Sequence, residues 1–203
     1  METISIHRPK IVVIGSCNTD MVVKANRLPV PGETILGGTF YMNPGGKGAN
    51  QAIAAARLGA EVTFISKIGY DLFGLQALEI YRSEKINTEY IFTDQKSPSG
   101  VALISVDSFG ENSIIVAPGA SRSLSIEDIN KAEEKIKEAD IILMQLEIPI
   151  DTVEYAATIA CKYGKKVILN PAPASSLSNS FLMNVHTIPV SYTHLRAHET
   201  GAY

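Results

Sequence analysis

The sequence predicts an α/β fold: a parallel sheet covered by helices. Three observations carry this. Short β-branched apolar runs alternate with segments of helical character along most of the chain. The main runs are continuous in their apolar residues, as strands buried on both faces are. Finally, 45% of the residues are hydrophobic and 19% charged, the balance of a chain that builds a core.

Taken in order, Ile11 to Ile14 is a β-branched run ended by Gly15 and reads as a buried strand. Gly48 to Leu58 is rich in alanine with Gly59 just past its end, a helix with a glycine cap. Glu61 to Ile68 is strand-like again. Asp71 to Lys85 is helical, with Leu72, Leu75, Leu78 and Tyr81 on one side. Tyr90 to Thr93, Val101 to Val106 and Ile114 to Val116 are short strands between turn residues. Ser125 to Ala139 reads as one helix, opened by a capping-box spacing from Ser125 to Asp128 and an acidic first turn. Asp140 to Leu146 is a buried strand, Asp151 to Tyr163 a helix capped by Gly164, and Lys166 to Leu169 a further strand. Two stretches, 21–42 and 90–116, break this rhythm with short strands and many turns. They are expected to pair as a small antiparallel sheet beside the main one.

Composition excludes several classes of function. No apolar run approaches the ~18 residues of a membrane span, so a soluble protein without a membrane partner is expected. The formal net charge of −3 gives no basic footprint for nucleic acid. Met1 to Lys10 holds no apolar core after a basic start, against a secretory signal. Cys17 and Cys161 cannot form a disulfide framework, which points to a reduced, cytoplasmic setting. Both cysteines and Tyr41 read as packing residues, and the charge run Lys131 to Glu138 as a solvated helix face.

The end of the chain changes character. His186, His194 and His198 fall there, and His194 and His198 have the four-residue spacing of a zinc helix. No glutamate follows His194, as that motif requires. Val190 to Thr200 instead resembles a frame translation of the transposase adapter used in sequencing libraries. The native reading frame is therefore expected to stop near Pro189, with residues 190–203 carrying no function.

Four polar features stand where open α/β sheets bind ligands, at strand ends and helix starts. Asn18 and Asp20 follow the first strand, alternating in direction. They read either as hydrogen-bond partners of a polyhydroxy ligand or as a simple turn. Gly45, Gly46, Lys47, Gly48 and Asn50 open a helix, where backbone N–H groups can approach a ligand closely. This is no Walker A loop, because Tyr41 stands at its first glycine and Gly48 at its Ser/Thr. It is no dinucleotide fingerprint either, because Gln51 replaces the third glycine, and that argues against an NAD-dependent enzyme. Glu147 ends the strand from Asp140 and reads equally as a first solvated residue. Asn170 to Ala174 holds two prolines that stiffen the exit from the last strand, a wall more than a reactive group.

In this order and register, the four features resemble the ribokinase family of sugar kinases, of phosphofructokinase-B type, over nearly all of residues 10–188. Gly45 to Ala52 looks like the family's first signature. Gly32 to Thr34, Pro118 to Ala120, Met144 to Glu147 and Asn170 to Ala174 look like its ribose-phosphorylating members. The resemblance implies a three-layer α/β/α sandwich with a small β-sheet lid, formed by segments at about 20–43 and 90–117, that pairs two subunits as a homodimer. It implies ATP-dependent phosphorylation of D-ribose with Mg²⁺, activated by K⁺. It implies that Asn18, Asp20, Gly46, Lys47, Asn50 and Glu147 hold the sugar. The family's later Asn-Glu and Gly-Ala-Gly-Asp motifs find no match here. The chain is thus expected to be truncated on its C-terminal side within a partial domain 1–189. It is also expected to lack the ATP site, the metal ligands and the catalytic base, to be inactive alone, and to fold poorly at its unpaired strand edge. The alternatives are a ribose-binding or regulatory module without catalysis, or a kinase for another sugar or a nucleoside.

Overall fold

The computed structural model of the chain describes residues 8–189. In chain order these form β1 (Lys10–Ile14), β2 (Asn18–Lys24), β3 (Thr39–Gly45), α1 (Lys47–Arg57), β4 (Glu61–Gly69) and α2 (Leu72–Ser83). There follow β5 (Ile91–Asp94), β6 (Gly100–Val106), β7 (Asn112–Ala117), α3 (Ile126–Lys131) and α4 (Glu133–Glu138). The last are β8 (Ile141–Gln145), α5 (Ile150–Lys162), β9 (Lys166–Asn170) and α6 (Asn179–Leu182). The adapter-like tail, with His194 and His198, lies outside the described residues.

The main sheet is parallel throughout, in the order β5-β4-β1-β8-β9. Successive strand residues point to opposite faces, so each apolar run feeds two cores at once. Val12, Ile14, Ile142, Met144, Val167 and Leu169 pack with Ile129, Ile136, Val153, Ala156 and Ala160 of α3, α4 and α5. Val13, Val62 and Phe64 pack on the other face with Ala49, Ala52 and Ala55 of α1 and Ala77 and Tyr81 of α2. Helices therefore cover both faces, giving the expected three layers.

The alanines of α1 let it sit close to the sheet, and Gly48 makes the closest approach. A Cβ at Gly48 would lie 2.7 Å from the backbone of Gly15 and Ser16. Backbone cannot move aside as a side chain can, so Gly48→Ala should cost about 2–3 kcal/mol. A chemical denaturation curve would show this as a lower midpoint with unchanged slope. A change below about 0.5 kcal/mol, the range of neutral surface substitutions, would refute the close-packing argument.

Several elements differ from the sequence expectation. The helix expected over 125–139 is two short ones kinked at Ala132, whose backbone sits at φ −100° and ψ 6°. Its N-terminal capping box, Ser125 with Asp128, is formed as read. In α2 the buried face is Gly74, Ala77 and Tyr81, while Leu72 and Leu75 are exposed at 65% and 55%. The helix is oriented by its cap: Asp71 accepts from Gly74 N–H at 2.9 Å and from Ser99 N–H and Oγ, each at 2.7 Å. That orientation places glycine, and not leucine, against the backbone of Gly69. Of the residues read as packing, Cys17 is buried, but Cys161 is exposed and Tyr41 is half-exposed.

The second sheet has the order β3-β2-β6-β7. It is mixed, not antiparallel: β2 runs parallel to β6, and β3 and β7 flank them in antiparallel register. Ile91–Asp94, grouped with this lid in the sequence, belongs to the main sheet as β5, because it pairs in parallel with β4 on the side away from β1. The second lid segment thus starts at Gly100. Among the described residues β9 is an edge strand, bridged by Ile168 to Thr187. No helix of the described residues is long and apolar enough to cross a membrane.

Candidate functional site

Three chain segments meet where the two sheets join. The chain leaves β1 through Gly15, Ser16 and Cys17 and enters the lid sheet at Asn18. It returns along β3 and starts α1 after Gly46. The exit of β8 brings in Glu147. Asn18, Asp20, Gly46, Lys47, Asn50 and Glu147 all line one cavity of about 140 Å³. The lid closes it with Ala102 and Ile104 of β6 and Ile114 and Val116 of β7. A larger hollow of about 390 Å³ lies between Pro44 of β3 and Phe73 and Ile80 of α2, with mainly apolar walls.

Glycines shape this junction. Gly46 sits at φ +90°, and a Cβ there would lie 2.9 Å from Ser16 O and 3.0 Å from Asn18 N. Only glycine makes that turn at no steric cost. Both cross-strand partners of Asn18 are also glycines, Gly45 of β3 and Gly100 of β6, whereas Asp20 pairs with Asn43 and Ala102. A Cβ would come within 2.1 Å of Asn18 Oδ1 at Gly100 and within 2.0 Å of Asp20 Oδ1 at Gly45. Asn18 and Asp20 do not alternate in direction; two apart on β2, they share one face of the lid sheet. Asn18 is 5% exposed, and its Oδ1 is buried without a hydrogen-bond partner.

Glu147 ties the segments together. Its Oε1 accepts from Lys47 Nζ at 2.8 Å; its Oε2 accepts from Lys47 N–H at 2.9 Å and from the Ser16 hydroxyl. Ser16 O in turn accepts from Ala49 N–H at 3.0 Å. The first N–H groups of α1 are thus spent on Ser16 and Glu147, and the helix start is not the open amide cradle its sequence suggests. Burial pushes the Glu147 carboxyl up, but the hydrogen bonds from Lys47 and Ser16 outweigh it and hold the group below its ordinary value. Asp20 goes the other way. Burial and then the Glu147 charge raise it, against the pull of Lys47.

Sequence reasoning named Gly45 in the loop before α1 but missed Ser16, Gln145 and Gly100 as parts of the site. Ser16 stands in the same loop as Asn18, which was its only signal. Gln145 is fully buried, donates to Gln51 Oε1 at 2.6 Å, and lies so close to Gly15 that a Cβ there would meet it at 1.9 Å. The proline segment after β9 does not line the cavity. It supports the Glu147 loop, since Ala172 O accepts from Leu146 N–H at 3.1 Å.

Residues 8–196 match the profile of the pfkB family of carbohydrate kinases. A ribokinase of Haemophilus influenzae is 45% identical over 186 residues, covering 92% of this chain and 61% of that protein. A deoxyribokinase of Salmonella typhi is 42% identical over 164 residues, covering 81% of this chain and 54% of that protein. Among solved structures, a ribokinase of Arabidopsis thaliana in complex with ribose and ATP superposes with a TM-score of 0.78 at 32% identity, covering 90% of this chain and 60% of that one. The chain thus spans roughly three fifths of the length of such relatives.

Proposed function

The chain belongs to the pfkB family of carbohydrate kinases, and from that premise we propose that it forms the sugar side of an ATP-dependent ribokinase, which converts D-ribose to D-ribose 5-phosphate. One observation carries this reading: Gly46 and all five polar residues singled out with it in the sequence line a single small cavity beside an apolar wall of the lid. A neutral polyol needs hydrogen-bond donors and acceptors on every side, since each unmet buried group costs about 1–3 kcal/mol. Asp20 and Glu147 offer acceptors, Lys47 a donor, and the Asn18 and Asn50 amides both.

ATP, Mg²⁺ and K⁺ are the proposed cofactors of the whole protein. Among the described residues no group of three or more His, Cys, Asp and Glu is placed to hold a metal ion. The lid sheet exposes Phe40, Leu103 and Ile115 at 58%, 52% and 69%. That apolar surface supports the proposal that the lid pairs two subunits in a homodimer. A reduced, cytoplasmic setting fits the free thiols of Cys17 and Cys161.

The test is calorimetric titration of the chain with D-ribose, with and without ATP. Saturable ribose binding that is lost in Asp20→Ala supports the sugar site. Absence of ribose binding would count against it, and turnover of ATP by these 203 residues would contradict the assignment of catalysis to the rest of the protein. The likeness to a deoxyribokinase favours one second reading, 2-deoxyribose as the substrate. Parallel titration with that sugar decides between them.

A further inference from the structure

The sugar reading leaves one charge without a counterpart. Two carboxylates, Asp20 and Glu147, line the cavity with a single ammonium, that of Lys47. That ammonium is already bound to Glu147, at 2.8 Å. Among the described residues no hydrogen bond or ion pair reaches the Asp20 carboxylate, and the charges that act on it are those of Glu147 and Lys47. Gly45 backs it closely. The rest of the lid-sheet wall beside it, Ala102, Ile104, Ile114 and Val116, carries no charge. The cavity therefore holds one uncompensated negative charge in a partly desolvated place.

We propose that this cavity binds pentose-sized sugars whose ring carries a cation, protonated iminosugars, more tightly than neutral ones, and that Asp20 selects them. The inference rests on the reading that the cavity takes a pentose. A neutral sugar gives Asp20 hydroxyl hydrogens but returns no charge. A ring ammonium makes a charge-assisted hydrogen bond, roughly twice as strong as a neutral one. It also relieves the repulsion between Asp20 and Glu147. Lys47 opposes it weakly, because its charge is offset by Glu147 at contact distance. The expected preference is about tenfold.

Two ribose analogues with identical hydroxyls separate charge from shape: a pyrrolidine, whose ring oxygen is replaced by a protonated NH, and the corresponding tetrahydrofuran. Titrated into the chain beside D-ribose, the pyrrolidine should bind about tenfold tighter than the tetrahydrofuran. Asp20→Asn should bring the two together, and added salt should narrow the gap in the unaltered chain. The salt series decides the matter if the Asn variant does not fold. Equal or weaker binding of the pyrrolidine while ribose still binds would overturn the inference and leave the sugar reading standing, as would a preference that survives both Asp20→Asn and salt. Failure of ribose itself to bind would overturn both.

Discussion

Replacing Lys67 by methionine should lower stability by about 3 kcal/mol and the melting temperature by roughly 6–12 °C. Lys67 reaches from β4 to the start of α3, with its Nζ 2.8 Å from Asp128 Oδ2 and 3.1 Å from Ser123 O. The two side chains are 16% and 6% exposed. Methionine fills the space and removes the charge, which leaves a buried carboxylate with only the exposed Lys131 ammonium, 3.8 Å from its Oδ1, as a cation. That loss, and not the pair's net contribution, sets the size of the effect. The acid behaviour gives an independent check. Burial raises the Asp128 carboxyl, but Lys67 and the Ser125 N–H and hydroxyl together hold it below its ordinary value. A depressed carboxyl contributes stability that is full above its unfolded value, about 4, and fades as pH falls through the folded one. The variant lacks that contribution, so its deficit should shrink as pH drops below about 4. Parallel melting curves from neutral to acid pH measure this. A deficit independent of pH would show that the cost comes from packing instead.

Glu147→Gln should reduce ribose affinity by roughly 10–100-fold while leaving the fold in place. Glutamine keeps the shape but turns one acceptor into a donor and loses the charge that holds Lys47. A hydrogen bond to a charged group is worth about 1.5–3 kcal/mol, which sets the range. The Lys47 side chain is 39% exposed, so water takes up its freed charge and the melting point should move little. Titration of both proteins with ribose, beside their melting curves, checks the two halves of this expectation. An unchanged affinity would remove Glu147 from the sugar's contacts; a collapse in melting temperature would make it chiefly structural.

The parts legible in the sequence were those written in local pattern. The continuous apolar runs of β1, β8 and β9 announced a parallel sheet, and the Ser125 box announced the start of α3. Gly46 and the five polar residues stood out because each followed a strand or opened a helix, which is a local signal as well. What escaped was set by partners distant in sequence. Tyr90 to Thr93 resembles its lid neighbours in composition, and only the register of Ser66 opposite Ile91 draws it into the main sheet. The leucines of α2 looked like its buried face until Asp71 met Ser99, which turns the helix onto Gly74. Ser16 carries no mark that distinguishes it from any loop serine; its role appears only when β8 delivers Glu147. Gly100 is a plain turn residue in the sequence, and it acquires meaning only from the Asn18 side chain laid over it, as Gly45 gains a second role under Asp20.

The parallel pairing of β2 with β6 also fixes an order of events in folding. Asn18 finds Gly100 across a stretch of chain that includes all of α1, β4, α2 and β5. Closing so long a loop is entropically costly until those intervening elements are compact. The β2–β3 hairpin, being local, can form early, but its inner edge must wait for the body to assemble before β6 arrives. The cavity walls at Ala102 and Ile104 come with that last strand. Ligand binding is therefore acquired late, and a sugar that binds only the finished cavity stabilises the step at which the two sheets lock together.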